Sequence, residues 1–197
     1  NTGHRHPKVV EAVKRQVDSY LHLMVYGEII QNPQVKYAER LTQLLPPELD
    51  NCYFVNSGSE AVEGALKLSK RFTGRSKVIY FKNSYHGSTH GAMSIQGSEI
   101  FKNAFRPLLP DTWQIVFNDY TSLELIDNQT ACVVVEPVQA EAGVIFPEEG
   151  FLQEIRKKCT ENGALLIFDE IQTGFGRLGN MFAIDRFKVV PDIVLLA

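Results

Sequence analysis

The sequence predicts an α/β fold with a mainly parallel β-sheet and helices on both of its faces. From about residue 51, short apolar runs alternate with segments of helical periodicity, as in the crossover units that build parallel sheets. The run 164–168 ends abruptly at Asp169, and a polar turn rich in glycine follows. A buried parallel strand that delivers a carboxylate to the open edge of a sheet has this pattern.

The individual elements follow from apolar runs, prolines and helix stops. Proline at the start of the first amphipathic segment suits a helical first turn, and Gly74 and Gly163 are typical helix stops. We expect strands at 52–55, Lys77–Phe81, 114–117, 131–135, 165–168 and 193–197, and helices at 7–21, 34–45, 59–72 and Phe151–Asn162. The chain therefore divides into an N-terminal helical segment at 1–50 and a sheet domain at 51–197.

The composition is that of an ordinary globular domain. The chain has 197 residues, of which 44% are hydrophobic and 22% charged, enough for one large domain or one and a half small ones. The net charge of −3 favours neither nucleic acid nor an anionic membrane as a partner. No apolar run approaches the roughly 18 residues of a membrane span.

Cysteine and histidine spacing does not predict a metal site. Cys52, Cys132 and Cys159 lack metal-type spacing, and we expect buried free thiols in a reducing, cytoplasmic compartment. The pair His4 and His6 has no further ligand cluster near it in the sequence.

Both ends of the sequence suggest a piece of a longer protein. The chain begins at Asn1 without a methionine and ends inside the apolar run 189–197. We therefore expect the parent protein to extend beyond it.

Polar groups follow several predicted strands. Asn56-Ser-Gly-Ser-Glu-Ala61 precedes the helix 59–72, where free N–H groups and the helix dipole can bind a phosphate and Gly58 permits close approach. Alternatively, Ser57 or Ser59 only caps the helix. Tyr85 follows the strand Lys77–Phe81, and its ring could stack on a ligand or cover the core.

The motifs Asn56-Ser-Gly-Ser-Glu-Ala61, Tyr85-His-Gly87 and the segment 164–179 together resemble the pyridoxal 5′-phosphate (PLP) aminotransferases of fold type I. Within that fold the chain is similar to the class III branch, which includes ornithine, acetylornithine and 4-aminobutyrate aminotransferases. The order and spacing of the motifs carry the resemblance, which covers nearly the whole chain.

The resemblance implies a cofactor site. Asp169 would favour a protonated pyridine nitrogen by opposite charge. His86 would either contact the ring or support its loop. The residues expected to bind the cofactor are Ser57, Gly58 and Ser59 at the phosphate, Tyr85 and Ile171 on opposite ring faces, His86, Asp169, and Gln172 at the phenolic oxygen.

The resemblance also implies a substrate side. Glu141 would pair with an arginine from the C-terminal part of the protein, which lies outside this chain. Tyr26 would face the substrate or a dimer partner. Glu136 is expected to be structural, with a direct role in the site as the alternative, and Glu170 is expected to form a structural ion pair.

An aminotransferase also needs a lysine that forms a Schiff base with the cofactor and transfers the proton. Family members carry it after a run like Pro191-Asp-Ile-Val194, so we expect it immediately after Ala197. The sequence either breaks at a modified lysine or is truncated there.

The resemblance predicts transfer of an amino group from an amino acid or amine to a 2-oxo acid, with 2-oxoglutarate as the expected acceptor, in a homodimer. A class III aminomutase or racemase, or a noncatalytic protein of the PLP fold, is the alternative. A doubly wound nucleotide-binding domain is disfavoured because neither G-x-G-x-x-G nor a Walker pattern occurs.

Overall fold

The computed structural model describes residues 2–21, 23–24 and 28–197 and divides the chain into two units, Asn1–Cys52 and Tyr53–Ala197. The first unit contains helices α1 (Pro7–Ser19) and α2 (Asn32–Thr42). Both begin with proline in the first turn, where the missing N–H costs nothing. Both helices end before the predicted boundaries at 21 and 45.

The second unit is built around a five-stranded parallel sheet with strand order β2-β1-β3-β4-β5. Its strands are β1 (Lys77–Phe81), β2 (Thr112–Ile115), β3 (Thr130–Val135), β4 (Leu165–Asp169) and β5 (Ile193–Leu195). Its helices are α3 (Gly58–Thr73), α4 (His90–Ser94), α5 (Phe151–Asn162) and α6 (Ala183–Phe187), with short 3₁₀ turns at Glu99–Phe101, Asn103–Phe105 and Thr121–Leu125.

Helices pack on both faces of the sheet, which confirms the predicted architecture. Alternate side chains of a strand point to opposite faces. On one face, Val78 and Val134 pack in a core with Val62 and Leu66 of α3. On the other face, Phe81 meets Phe151 of α5 at a ring-centroid distance of 6.1 Å.

The predicted strand at 52–55 is wrong. Residues 51–55 have no regular secondary structure, and the Tyr53 side chain is 82% exposed. The Tyr53 ring instead lies beside Gly64 of α3, where an added Cβ would come 3.3 Å from it. An apolar run alone does not distinguish a strand from an extended segment at the surface.

Strand β2 begins and ends two residues earlier than predicted. Its register runs from Val78 opposite Thr112 to Phe81 opposite Ile115. Since β1 ends at Phe81, pairing stops at Ile115 although apolar residues continue beyond it. The partner strand therefore sets the length of β2.

Parallel pairing brings the ends of the central strands to one edge. Val135 lies opposite Phe168, and Asp169 opposite Leu195. The loops after β1, β3 and β4 therefore start side by side. The strand order reverses between β1 and β3, and such switch points are where ligands bind in open α/β sheets.

Two features are absent from the described ranges. None of the helices there is long and apolar enough to cross a bilayer. In the same ranges, no group of three or more histidine, cysteine or acidic residues is placed to hold a metal ion.

Replacing Phe151 should test the packing of α5 on the sheet. Phe151 is fully buried and contacts the rings of Phe117 and Tyr120 at 5.3 Å each. We expect Phe151→Ala to lower the free energy of unfolding by about 3–5 kcal/mol in urea titrations. Lys157→Ala, on the exposed side of the same helix, should change it by less than about 0.5 kcal/mol. Equal effects would contradict this packing.

Thiol labelling should separate the three cysteines. Burial raises the pKa of the Cys132 and Cys159 thiols to about 12, so neither forms a reactive thiolate near neutral pH. Cys52 is only half-buried. In this chain we expect a disulfide reagent to label Cys52 alone in the folded protein and all three after unfolding. Rapid labelling of Cys132 or Cys159 in the folded protein would contradict the burial.

Candidate active site

A polar cleft lies at the carboxyl edge of the sheet, beside the N-terminus of α3. The loops that follow β1, β3 and β4 all contribute to it. Its lining residues are Ser57, Gly58, Ser59, Tyr85, His86, Gly87, Glu136, Asp169, Ile171, Gln172 and Thr173. All eight cofactor residues expected from the sequence therefore line one cleft.

The first wall of the cleft is the start of α3. Ser57 is the N-cap, and its hydroxyl accepts a hydrogen bond of 3.2 Å from the Glu60 N–H. The Glu60 carboxylate in turn accepts from the Asn56 N–H at 2.7 Å. This reciprocal arrangement resembles a capping box, and its S-x-x-E signal is present in the sequence as Ser57-Gly-Ser-Glu60.

Capping and anion binding are compatible here. The N–H groups of the first helical turn have no carbonyl acceptor within the helix, and they point towards its N-terminus. Since Ser57 and Ser59 use their oxygens as acceptors, their O–H groups can turn towards an anion. The two interpretations of this segment are therefore not exclusive.

The loop after β1 is held against this helix. The Ser88 N–H donates to the Ser59 hydroxyl at 3.1 Å. One turn further along α3, the Glu63 carboxylate accepts from the Thr89 hydroxyl and the Gly91 N–H, both at 2.7 Å. Positions 59 and 63 lie on one helix face, so the loop runs along that face.

Tyr85 and Ile171 both line the cleft. Tyr85 is 37% exposed and makes an edge-to-face contact with Phe101, with centroids 6.1 Å apart. Ile171 approaches α3 so closely that a Cβ on Gly58 would lie 2.7 Å from its Cδ1. Glycine at position 58 therefore makes room for Ile171 as well as for a ligand.

Asp169 and His86 form a buried pair. Asp169 ends β4 and is 4% exposed. Its Oδ2 lies 2.7 Å from Nδ1 of His86, and its Oδ1 accepts from the Ile171 N–H at 3.2 Å. Both carboxylate oxygens are thus oriented by neighbouring groups. His86 was expected to contact a ring or to support its loop, and it orients Asp169.

The other ring nitrogen of His86 has no hydrogen-bond partner among the residues that the structure describes. Nε2 is buried, and no described residue accepts from or donates to it. Buried polar atoms are usually satisfied. Since His86 lines the cleft, a molecule bound there could complete this bond.

Glu136 is the third buried group at this edge, at 5% exposure. Its Oε1 accepts from the Tyr85 N–H at 2.8 Å, and its Oε2 accepts from the Ala140 N–H at 3.1 Å. Burial raises the pKa of this carboxyl, and the positive charge of a protonated His86 and the two N–H donors oppose that shift.

Gln172 and Glu141 meet at the open side of the cleft. The Gln172 amide donates to the Glu141 carboxylate at 2.9 Å, and both residues are exposed. The residue expected near a cofactor oxygen and the carboxylate expected to face the substrate are therefore neighbours.

Comparison with known proteins settles the family. The family model for class-III aminotransferases matches residues 1–197. The chain belongs to this family. The resemblance inferred from the motifs is confirmed.

Relatives in this family carry aminotransferase names. The chain is 47% identical to the acetylornithine aminotransferase of Methanopyrus kandleri, over 99% of this chain and 50% of that protein. It is 40% identical to the [LysW]-aminoadipate semialdehyde/glutamate semialdehyde transaminase of Sulfurisphaera tokodaii, over 98% of this chain and 49% of that protein. The chain thus spans about half the length of the curated relatives it matches.

Solved structures of transaminases share the fold. A transaminase from the marine bacterium Virgibacillus superposes with a TM-score of 0.92 at 29% identity, over 98% of this chain and 48% of its own. The ornithine aminotransferase of Toxoplasma gondii superposes with a TM-score of 0.86 at 33% identity, over 99% and 47%. The fold class expected from the sequence is confirmed.

Two further expectations for this class-III aminotransferase chain concern Tyr26 and Glu170. Tyr26 lies outside the described residues. Among the described residues no cation pairs with Glu170, contrary to expectation: its carboxylate accepts from the N–H groups of Ala183 and Ile184 at 2.6 and 3.1 Å. The N-terminus of α6 supplies these donors, so no cation is needed.

Sequence reasoning overlooked two cleft residues, Gly87 and Thr173. Thr173 follows Gln172 directly, and no sequence pattern indicated that it would line the cleft. Gly87 was part of the Tyr85-His-Gly motif, and glycine at a loop that approaches a helix was a usable signal.

Gly87→Ala should move the loop after β1 away from the start of α3, and these two segments form two walls of the cleft. Gly87 has φ of +119°, and an added Cβ would lie 2.2 Å from the Ser59 Oγ and 3.0 Å from the Ser59 Cα. We expect the loop to shift, with the bond between Ser88 and Ser59 lost and phosphate affinity at the helix reduced about 10-fold or more. Isothermal titration with PLP measures this. Gly143→Ala, which also has positive φ but meets no atom within 4 Å, controls for backbone strain, and equal loss in both would contradict the expectation.

Proposed function

We propose that the full-length protein is a PLP-dependent aminotransferase. It would move an amino group from an amino acid or amine of the ornithine, acetylornithine or 4-aminobutyrate type to a 2-oxo acid such as 2-oxoglutarate. Membership of the class-III family and the aminotransferase names of its relatives support this reaction class.

One observation carries the proposal: the N-terminus of α3 and a buried carboxylate line the same cleft. Ser57, Gly58 and Ser59 at the N-terminus of α3 suit a phosphate group. Asp169, oriented by His86 at 2.7 Å, suits a ring nitrogen that carries a proton. PLP has both a phosphate and a pyridine nitrogen, so these residues fit it.

When bound, PLP supplies an electron sink for bond cleavage at the substrate α-carbon. In our proposal Asp169 holds a proton on the ring nitrogen, and His86 keeps its carboxylate turned towards that atom. Tyr85 and Ile171 confine the ring and exclude water from its faces. Gln172 would bond the phenolic oxygen.

We assign the substrate side to Glu141. Its carboxylate is exposed beside the cleft and is held by Gln172, so it can exchange partners without breaking a buried contact. Pairing with an arginine from outside this chain would let the site accept substrates with different side-chain groups. Of the amino donors, acetylornithine is favoured by the names of the relatives. Tyr26 remains a prediction as a substrate- or dimer-facing residue.

We also propose that a lysine follows Ala197. Strand β5 runs parallel to β4 with Leu195 opposite Asp169, so residues after β5 enter the edge that holds the cleft. A lysine there would be close to the carboxylate that acts on the ring nitrogen. An ordinary residue other than lysine at this position in the parent sequence would contradict the proposed reaction.

Further proposals concern organisation. Residues 1–50 would contribute to a small domain or a dimer contact, residues 51–197 would form the PLP-binding domain, and the protein would be a homodimer. Three free cysteines support a reducing, cytoplasmic location.

Visible absorption of the full-length protein tests the function. We expect a PLP absorption band that one amino donor (acetylornithine, ornithine or 4-aminobutyrate) bleaches and 2-oxoglutarate restores. Protein that takes up no added PLP would overturn the proposal. Bleaching without consumption of a 2-oxo acid would instead indicate an aminomutase or a racemase.

Asp169→Asn provides the matched variant for this test. It removes the charge and keeps the shape, so PLP should still bind through its phosphate. Loss of the proton on the ring nitrogen should lower kcat roughly 100-fold or more. An unchanged kcat would contradict the role given to Asp169.

A further inference from the structure

We propose that Glu136 is a positioning residue of the active site, whose one carboxylate fixes the distance between the loop that faces the cofactor ring and the loop that faces the substrate. This inference rests on the proposed function, and it names a residue that sequence reasoning favoured as merely structural.

Glu136 begins the loop after β3 and joins that loop to the loop after β1. It follows the last residue of β3, Val135, and lines the cleft. Its Oε1 accepts from the N–H of Tyr85, in the loop after β1, at 2.8 Å. Its Oε2 accepts from the N–H of Ala140, in its own outgoing loop, at 3.1 Å.

Each of these loops carries a functional group next to the bonded amide. Tyr85 itself lines the cleft, and the next residue, His86, orients Asp169. Ala140 is followed directly by Glu141, which meets Gln172 at 2.9 Å. A displacement of either amide therefore moves a ring-side or a substrate-side group.

Only a full-length carboxylate makes both contacts. An ionised glutamate presents an acceptor on each oxygen, whereas the amide of glutamine presents one acceptor and one donor. In Glu136→Gln the amide nitrogen would face either the Tyr85 or the Ala140 N–H, and that part-buried N–H would lose its acceptor. Aspartate keeps both acceptors but is shorter by one methylene, so it cannot span both amides.

Burying the Glu136 carboxylate costs free energy of folding, which its two N–H donors offset only in part. The pKa of Glu136 is raised by desolvation, so the folded state holds its proton more tightly than the unfolded chain does. Its contribution to stability is therefore greatest at acidic pH and falls as the group ionises. The two amide contacts favour the ionised form, because a carboxylate presents an acceptor on each oxygen, and they oppose the effect of burial.

Glu170 offers a matched control in the same chain. It is also buried, its pKa is also raised by desolvation, and its two oxygens accept from the N–H groups of Ala183 and Ile184. It holds the start of α6 and does not line the cleft. Its Oε2 also accepts from the hydroxyl of Thr173 at 3.4 Å, and a hydroxyl can reverse its role when the acceptor becomes an amide. Glu170→Gln therefore repeats the substitution at a carboxylate whose two backbone donors both lie in α6.

Amide hydrogen exchange in the cofactor-free, full-length protein is the first measurement. In Glu136→Gln we expect the amide of Tyr85 or of Ala140 to exchange roughly 10-fold faster or more than in the unsubstituted protein. In Glu170→Gln both should keep their rates while Ala183 or Ile184 changes. Unchanged exchange at both Tyr85 and Ala140 in Glu136→Gln would overturn the proposal.

PLP titration and steady-state kinetics give the second measurement. We expect Glu136→Gln to weaken PLP binding about 10-fold, to shift the visible band of bound PLP, and to lower kcat/KM about 10- to 100-fold. Glu170→Gln should keep the band and the kcat/KM of the folded fraction. Equal losses in both variants would mean a general stability effect and overturn the positioning role.

Two further outcomes keep the tests separable. If Glu136→Gln does not fold, Glu136→Asp replaces it, and the same local loss at Tyr85 or Ala140 is expected. If the unsubstituted protein itself binds no PLP, the proposed function fails, but the exchange measurement still decides whether Glu136 joins the two loops.

Discussion

Three buried carboxylates lie at one edge of the parallel sheet, and the arrangement of the candidate site depends on how each of them is satisfied. Burying a carboxylate is costly unless hydrogen-bond donors surround it. Asp169 is satisfied by His86 and the Ile171 N–H. Glu136 and Glu170 each accept hydrogen bonds from two backbone N–H groups of neighbouring segments. The loops are therefore ordered around these charges.

The parallel sheet is what brings the charges together. Glu136 follows β3, Asp169 closes β4, and the loop that donates to both comes from β1. In an antiparallel sheet, alternate strands would have carried these residues to opposite edges. The helix terminus at Ser57 adds a positive potential to the same cleft. In our proposal one edge thus combines a site for an anion with a carboxylate for a cation, which is the arrangement that a phosphorylated pyridine needs.

Helix α3 also holds the loop after β1 in place. Ser59 and Glu63, one turn apart, both accept hydrogen bonds from the segment 88–91. Gly87 has positive φ and no room for a side chain against Ser59. The segment that carries Tyr85 and His86 is therefore held to the same helix that would bind the phosphate. A displacement of either segment would displace the other.

The sequence by itself determined the sheet class, most of the elements and the family. Lys77–Phe81 and Phe151–Asn162 have the predicted bounds, because their apolar periodicity and the Gly163 stop are local properties of the chain. Only the tertiary structure decided that 52–55 is no strand, where β2 ends, and that Glu170 bonds a helix terminus. It also decided that Glu136 joins two loops and that His86 orients Asp169. These contacts join residues far apart in the chain, and which donors reach a buried carboxylate depends on packing that no local pattern records.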